Sequence, residues 1–166
     1  MSQAGITIVP MKMKYVRSFR AVLDSVCKER KFLIFLQAPP MNQVRQFVSN
    51  LLRRGDIQVV ALKDNRVVGW CDIVSPEWPG FEGTGRLGMG LAREFRGQGL
   101  GPRIAKAAIE AAVQKGFRRI ELDVYAVNEP AIKLYQKLGF VVEGRKMKAR
   151  CLDGEYYDII QMAFFP

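Results

Sequence analysis

From Gly85 to Gly116 the chain reads GRLGMGLAREFRGQGLGPRIAKAAIEAAVQKG, and no other stretch narrows the fold so far. A strand pattern runs into a turn with glycines at 97, 99 and 101, and a helix pattern starts at once behind it. Bare main chain at a helix mouth can come close to a ligand. The unpaired N–H groups there, together with the helix dipole, favour an anion. Two well-known phosphate loops do not fit. The spacing is GxGxG where a dinucleotide fingerprint needs GxGxxG, and no Lys-Ser/Thr follows as a P-loop requires. A ligand-free turn is the simpler alternative, but each glycine adds unfolded-state entropy that folding must overcome, so three of them are a costly way to build one.

The remaining pattern sets this unit in an α/β context. Residues 5–9 predict a short strand, and Val16, Phe19, Leu23, Val26 and Cys27 recur at the spacing of a helix over 12–28. The apolar run FLIFL at 32–36 ends at Pro39-Pro40, which forbid helix and mark a loop. Val44, Phe47, Val48, Leu51 and Leu52 share one face of a second helix that Gly55 closes. Residues 57–62 and 67–73 predict a hairpin about Lys63-Asp64-Asn65-Arg66, and 75–83 is a loop rich in Pro and Gly. Gly88 and Gly90 interrupt the strand over 85–91 and predict a bulge or a close backbone approach. In the following helix Ile104, Ala108, Ala111 and Ala112 face inward, Arg103, Lys106, Glu110 and Gln114 face water, and Gly116 ends it. Residues 119–126 alternate as a half-buried strand, Asn128 caps a helix over 129–138, and strands at 140–150 and 156–164 meet at Asp153-Gly154. The order β-α-α-β-β-β-α-β-α-β-β predicts a mixed central sheet flanked by helices, with residues 1–166 as a single domain.

Composition removes several kinds of chemistry. Lys plus Arg number 26 against 16 Asp plus Glu, a net charge of +10 that favours anionic ligands and disfavours polyamines. The basic residues are scattered, with no block and no nucleic-acid-binding motif, which counts against nucleic acid as a partner. There is no histidine, hence no Ser-His-Asp or Cys-His triad, and proton transfer falls to carboxylates, Tyr, Lys, main chain or water. Cys27, Cys71 and Cys151 are odd in number and widely spaced. They read as reduced thiols buried as small hydrophobes, and neither a disulfide framework nor a metal site is expected. No apolar run approaches the ~20 residues of a membrane span, and the N-terminus lacks a signal-peptide pattern, so a cytoplasmic location is expected.

Three segments in register then carry a resemblance. Arg96-Gly97-Gln98-Gly99-Leu100-Gly101 resembles the R/Q-x-x-G-x-G/A motif of the GNAT superfamily of acyl-CoA-dependent N-acyltransferases. ELDVYAVNEPAIKLYQKLGF (121–140) is similar to that family's next strand and its N-x-x-A-x-x-x-Y…GF segment, and 143–164 is similar to its closing hairpin in the branches that acetylate small amines and amino acids. The likeness spans residues 57–164. It implies a GNAT fold, acetyl-CoA as co-substrate, and direct transfer of the acetyl group to a primary amine, such as an amino acid. It also implies site residues. The main chain of Gly97, Gln98, Gly99, Leu100, Gly101 and Pro102 would wrap the pyrophosphate, with Arg96 adding charge. Met89, Gly90 and Leu91 would pair with the pantetheine arm, and Asn128 would touch that arm while capping its helix. Arg103 reads as a plain surface residue.

By the same resemblance Tyr135 donates a proton to the departing thiolate; a packed aromatic is the competing reading, since Ala131, Tyr135 and Leu138 share a helix face. The base stays open. Several members carry a Glu on the strand before the glycine turn, and Arg86 stands at that position here. Asp123 matches an acid that other members use, and is the first candidate, against a salt bridge with Arg118 or Arg119. Glu121, Glu82 and water are the alternatives. The acceptor site is expected from 32–40, 75–83 and the closing hairpin, with Phe35, Trp78, Phe81 and Tyr125 as lining. A non-catalytic CoA- or nucleic-acid-binding module and an enzyme acting on a protein N-terminus or lysine are the rival readings, and a homodimer is left open.

Overall fold

The computed structural model describes residues 5–166. Its strands are β1 (Ile6–Pro10), β2 (Ile57–Lys63), β3 (Arg66–Val74), β4 (Thr84–Leu91), β5 (Arg119–Tyr125), β6 (Val141–Leu152) and β7 (Glu155–Phe164). The helices are α1 (Val16–Cys27), α2 (Met41–Arg54), α3 (Leu100–Gln114) and α4 (Glu129–Lys137). The strands form one seven-stranded sheet in the order β1-β2-β3-β4-β5-β7-β6. Every neighbouring pair is antiparallel except β4–β5, which is parallel.

Apolar side chains fill both faces of this sheet. Leu100, Ile104, Ala108 and Ala112 of α3, with Tyr135 of α4, pack on Cys71, Ile73, Leu87, Ile120 and Leu122. Val16, Phe19 and Val26 of α1, with Val44 and Val48 of α2, pack on Val60, Leu62, Val67 and Trp70 from the other side. The Phe19 and Trp70 rings meet edge-on with centroids 5.5 Å apart, which fixes the Trp70 side of β3 as the α1 face. Lying between the two layers, β2 is buried along nearly its whole length. This explains why its sequence from Ile57 to Leu62 is apolar except at Gln58, and does not alternate.

Three expectations change, while the reading of FLIFL as lying outside the helices stands. The predicted helix over 12–28 begins as a 3-10 turn at Met13–Tyr15 and becomes α1 only at Val16. The FLIFL run forms no regular element, and Ile34, Phe35 and Leu36 are exposed. Cys151 is exposed on β6, unlike the buried Cys27 and Cys71. No bulge occurs at the β4 glycines, where β3 and β4 pair residue for residue from Gly69↔Leu91 to Val74↔Arg86. Register shifts fall instead between Ala61 and Leu62 of β2 and within β6. The glycines answer a close approach by side chains. A Cβ on Gly90 would lie 2.3 Å from the Trp70 ring, and one on Gly88 would lie 3.1 Å from Oδ1 of Asp72.

Candidate active site

Parallel pairing between β4 and β5 lasts for Thr84↔Arg119, Gly85↔Ile120 and Arg86↔Glu121, and then stops. From there to Leu91 the β5-facing edge of β4 carries no strand partner, while its other edge remains paired with β3. Met89, Gly90 and Leu91 lie in this parted segment, where main-chain groups without a strand partner can pair with an extended ligand, the Leu91 carbonyl excepted, since Arg96 takes it. The glycine turn follows directly. Gly97 and Gly99 take left-handed backbone (φ +70° and +78°), and Gly99 is the N-cap of α3. Leu100 and Gly101, buried, begin the helix, with exposed Pro102 next. Among the described residues no turn or cap hydrogen bond takes up the N–H of Gly97, Gly99, Leu100 or Gly101. Those donors point at a helix mouth, which is the physical requirement for holding a phosphate.

Arg96 is placed differently from the expected phosphate contact. Its guanidinium donates to the Leu91 carbonyl at 2.9 and 2.7 Å and grips Glu29, with one contact at 2.8 Å. It also stacks over Phe32, 4.9 Å from the ring centroid. Arg96 therefore ties the end of β4 and the glycine turn to the chain just after α1, and its charge holds the Glu29 carboxyl below the usual range. The Gln98 side chain donates to the Glu94 carbonyl at 2.6 Å and so braces the turn from within. Asn128 caps α4 by accepting from the Ala131 N–H at 3.4 Å.

Tyr135 is buried on α4, with its ring 5.6 Å from that of Phe140. It packs in the core of the α3 face, as the competing reading of a packed aromatic expects. Burial pushes its phenol up from the ordinary value. The proton is thus secure on oxygen at any working pH, and complete transfer to a thiolate is more uphill than for a free phenol.

Asp123 does not pair with Arg118 or Arg119. Its Oδ2 accepts from Arg86 at 2.7 Å and from Lys146 at 3.4 Å. Arg119 instead takes Glu121 and Glu143. Glu82 is a loop residue that accepts from the Gly80 N–H. The acceptor-side segments separate into two groups. The 28–40 loop and the β6–β7 hairpin do meet, through Arg30–Asp153 and through Arg150, which donates to the carbonyls of Leu33 and Ile34 and to the Tyr125 hydroxyl. Loop 75–83, with exposed Trp78 and Phe81, lies at the opposite end of β4, where β4 and β5 are still paired and Gly83 accepts from Arg118 and Arg119. It holds a concavity of about 410 Å³, open to solvent and away from the parted strands.

One residue went unnoticed in the sequence. Asp72 of β3 lies in register with Gly88, on the α1 face, beside the parting of β4 and β5. It is only partly reached by solvent, and among the described residues no salt bridge engages it. Burial pushes its carboxyl up to about 7, opposed by a hydrogen bond from the Trp70 indole.

The family model for the acetyltransferase (GNAT) family matches residues 25–140. The chain belongs to that family. It is an acetyl-CoA-dependent N-acetyltransferase. An L-amino acid N-acetyltransferase of Escherichia coli is 34% identical over 113 residues, covering 67% of this chain and 69% of the relative. The fold is likewise that of a ribosomal-protein-alanine N-acetyltransferase from Brucella melitensis (TM-score 0.90, 20% identity, 96% of this chain and 99% of that one). A phosphinothricin acetyltransferase from Sinorhizobium meliloti, solved in complex with acetyl-CoA, superposes with TM-score 0.91 at 18% identity, over 97% of this chain and 88% of its own. Among the described residues no cluster of His, Cys, Asp or Glu could hold a metal ion, and no helix is long and apolar enough to cross a membrane.

Proposed function

We propose that the enzyme acetylates a small primary amine that carries a carboxylate, an amino acid being the simplest case. The observation that carries this reading is Arg150. It is a part-buried guanidinium held by two main-chain carbonyls and a tyrosine hydroxyl, with no carboxylate partner among the described residues. An unpaired cation at the junction of the 28–40 loop, β5 and the closing hairpin suits an anionic substituent on the acceptor. The E. coli relative that acts on L-amino acids supports the same class. The overall charge of +10 works against spermidine-like polycations.

In this reading the main chain of Gly97 to Gly101 and the N-terminus of α3 hold the pyrophosphate of acetyl-CoA, with Pro102 shaping the first turn. Met89, Gly90 and Leu91 hold the pantetheine arm as an added strand, and Asn128 borders it. The amine attacks the thioester directly. Two of the three cysteines are poor nucleophiles: burial raises the thiols of both Cys71 and Cys27, so little thiolate exists to form an acyl-enzyme. Tyr135 gives its proton, or a strengthening hydrogen bond, to the leaving sulfur as charge develops there. Asp123 acts as an electrostatic link between Arg86 and Lys146; serving as base would first require it to release one of them. A thiol-release assay across L-amino acids, their amides and polyamines tests the class. Amino acids should be turned over with kcat/KM at least tenfold above their amides, and equal rates with the amides would refute a carboxylate subsite.

A further inference from the structure

Gln58, Asp72 and Gly88 form one row across β2, β3 and β4, and all three face the α1 layer. The row ends at the parted segment of β4, two residues beyond its last pairing with β5. Asp123 and Gln161 continue it on the far side. Beyond the Trp70 hydrogen bond to Asp72, two features of this row stand out. Asp72 has a carboxylate without an ion-pair partner among the described residues. Gln58, 4% exposed, has both polar atoms of its amide unpartnered. Buried amides are seldom left so, and one beside a carboxylate supplies a donor and an acceptor for a proton path. We infer that Asp72 is the general base of the acetyl transfer, accepting the proton of the acceptor ammonium directly or through one water, with Gln58 positioning that path.

The placement suits the chemistry. Gly88 has no side chain, so the Asp72 carboxylate reaches over it to the rim of the opening. Tyr135 sits in the cluster on the α3 face, so base and acid flank the opening from opposite sides of the sheet. The ammonium gives one proton to Asp72, which returns it to solvent. The freed nitrogen lone pair forms the C–N bond, and the C–S bond breaks. Nitrogen loses a second proton as sulfur gains one from the Tyr135 side, so one proton is released overall. Burial raises the Asp72 carboxyl to about 7, near the optimum for a base at neutral pH. The charged groups on neighbouring elements are spoken for: Asp56 by Arg54, Arg86 by Asp123, and Asp24 by Lys28. The thiols of Cys27 and Cys71 are both raised by burial, and each stays neutral at this pH.

The inference rests on the N-acetyltransferase reading of the site, and its test can fail separately. Asp72→Asn keeps the shape and the acceptor for Trp70. With L-alanine and L-alaninamide as probe amines, kcat/KM of the wild type should rise through a limb near 7 that is common to both. A limb belonging to the amine would move between them. Asp72→Asn should lose the common limb and roughly 10²–10⁴-fold in kcat/KM, with acetyl-CoA affinity unchanged. Full activity or an unaltered limb overturns the assignment. A carboxyl 13C titration reads the group with no amine present: a midpoint near 7 that vanishes in Asp72→Asn supports it, and an ordinary carboxylate midpoint overturns it. Stability gives a further check. The folded chain holds this proton more tightly than the unfolded one, so the native carboxylate costs stability as pH rises from about 4 to about 7. Asp72→Asn should therefore melt higher than wild type at pH 8, with the gain vanishing toward pH 4. A loss of stability equal at both pH values marks a structural side chain and overturns the assignment.

Discussion

The proposed cofactor cradle and the proposed acceptor wall are built from different material. The cradle is mostly main chain: the parted edge of β4, two left-handed glycines and the first turn of α3. The wall is side chains brought from distant parts of the sequence, with Arg150 reaching the 28–40 loop, Arg30 reaching Asp153, and Arg86 and Lys146 converging on Asp123. A backbone site tolerates substitution wherever φ and free N–H groups survive. A side-chain site changes its ligand with single residues. This contrast explains how one scaffold can keep its acyl donor while differing in its acceptor.

Tyr135 tests the contrast most strongly, because it is a side chain on the cradle side. Tyr135→Phe keeps the ring that packs on Phe140 and should lower turnover by roughly 10²–10⁴-fold, with little change in acetyl-CoA affinity. Steady-state kinetics and calorimetry read the two quantities. Equal loss of both would mean that the hydroxyl positions the cofactor, and unchanged turnover would return Tyr135 to the core alone.

Gly99 comes next. At φ +78° a β-branched residue is strained, and its side chain would crowd the helix mouth. Gly99→Val should weaken acetyl-CoA binding at least about tenfold, and Gly99→Asn, which accepts left-handed backbone more readily, should fall between. If Gly99→Val folds and binds acetyl-CoA as wild type does, the cradle is misplaced.

The smallest expected effect is on the wall. Arg150→Met keeps much of the stem and removes the charge, so KM for an amino acid should rise a few-fold, on the order of 1 kcal/mol. Acetyl-CoA affinity and KM for the matching amide should stay put. A parallel rise for the amide would show that Arg150 only braces the loop.

These differences also explain how much could be read in advance. The glycine turn was legible because left-handed turns and close approaches select glycine, and glycine leaves a mark in sequence. At Gly88 and Gly90 the same logic left a bulge and a close approach as alternatives, and the structure has the close approach. Their neighbours, Asp72 and Trp70, lie 16 and 20 residues away along the chain, and nothing local announces such a contact. The FLIFL run was correctly kept out of the helices, but its exposure depends on what the hairpin leaves uncovered. Trp78 and Phe81 were assigned to the acceptor by their aromatic character, and the topology carried them to the other end of β4.

By itself the sequence determined the order of elements, the glycine turn at the mouth of α3 and the Asn128 cap, because each follows from spacing and from the φ preferences of nearby residues. Tertiary structure alone decided which charges would meet. Arg96 went to Glu29, Arg86 to Asp123, and Arg119 to Glu121 and Glu143, since an ion pair depends on distance in space and carries no period along the chain. It also decided that Asp72, an unremarked acid in the middle of a strand, would stand without a counter-ion among the described residues, in register with Gly88 of the parted strand. Burial is a property of the packed sheet and its covering helices, so no local pattern in VVGWCDI could show that this carboxyl would be raised to about 7.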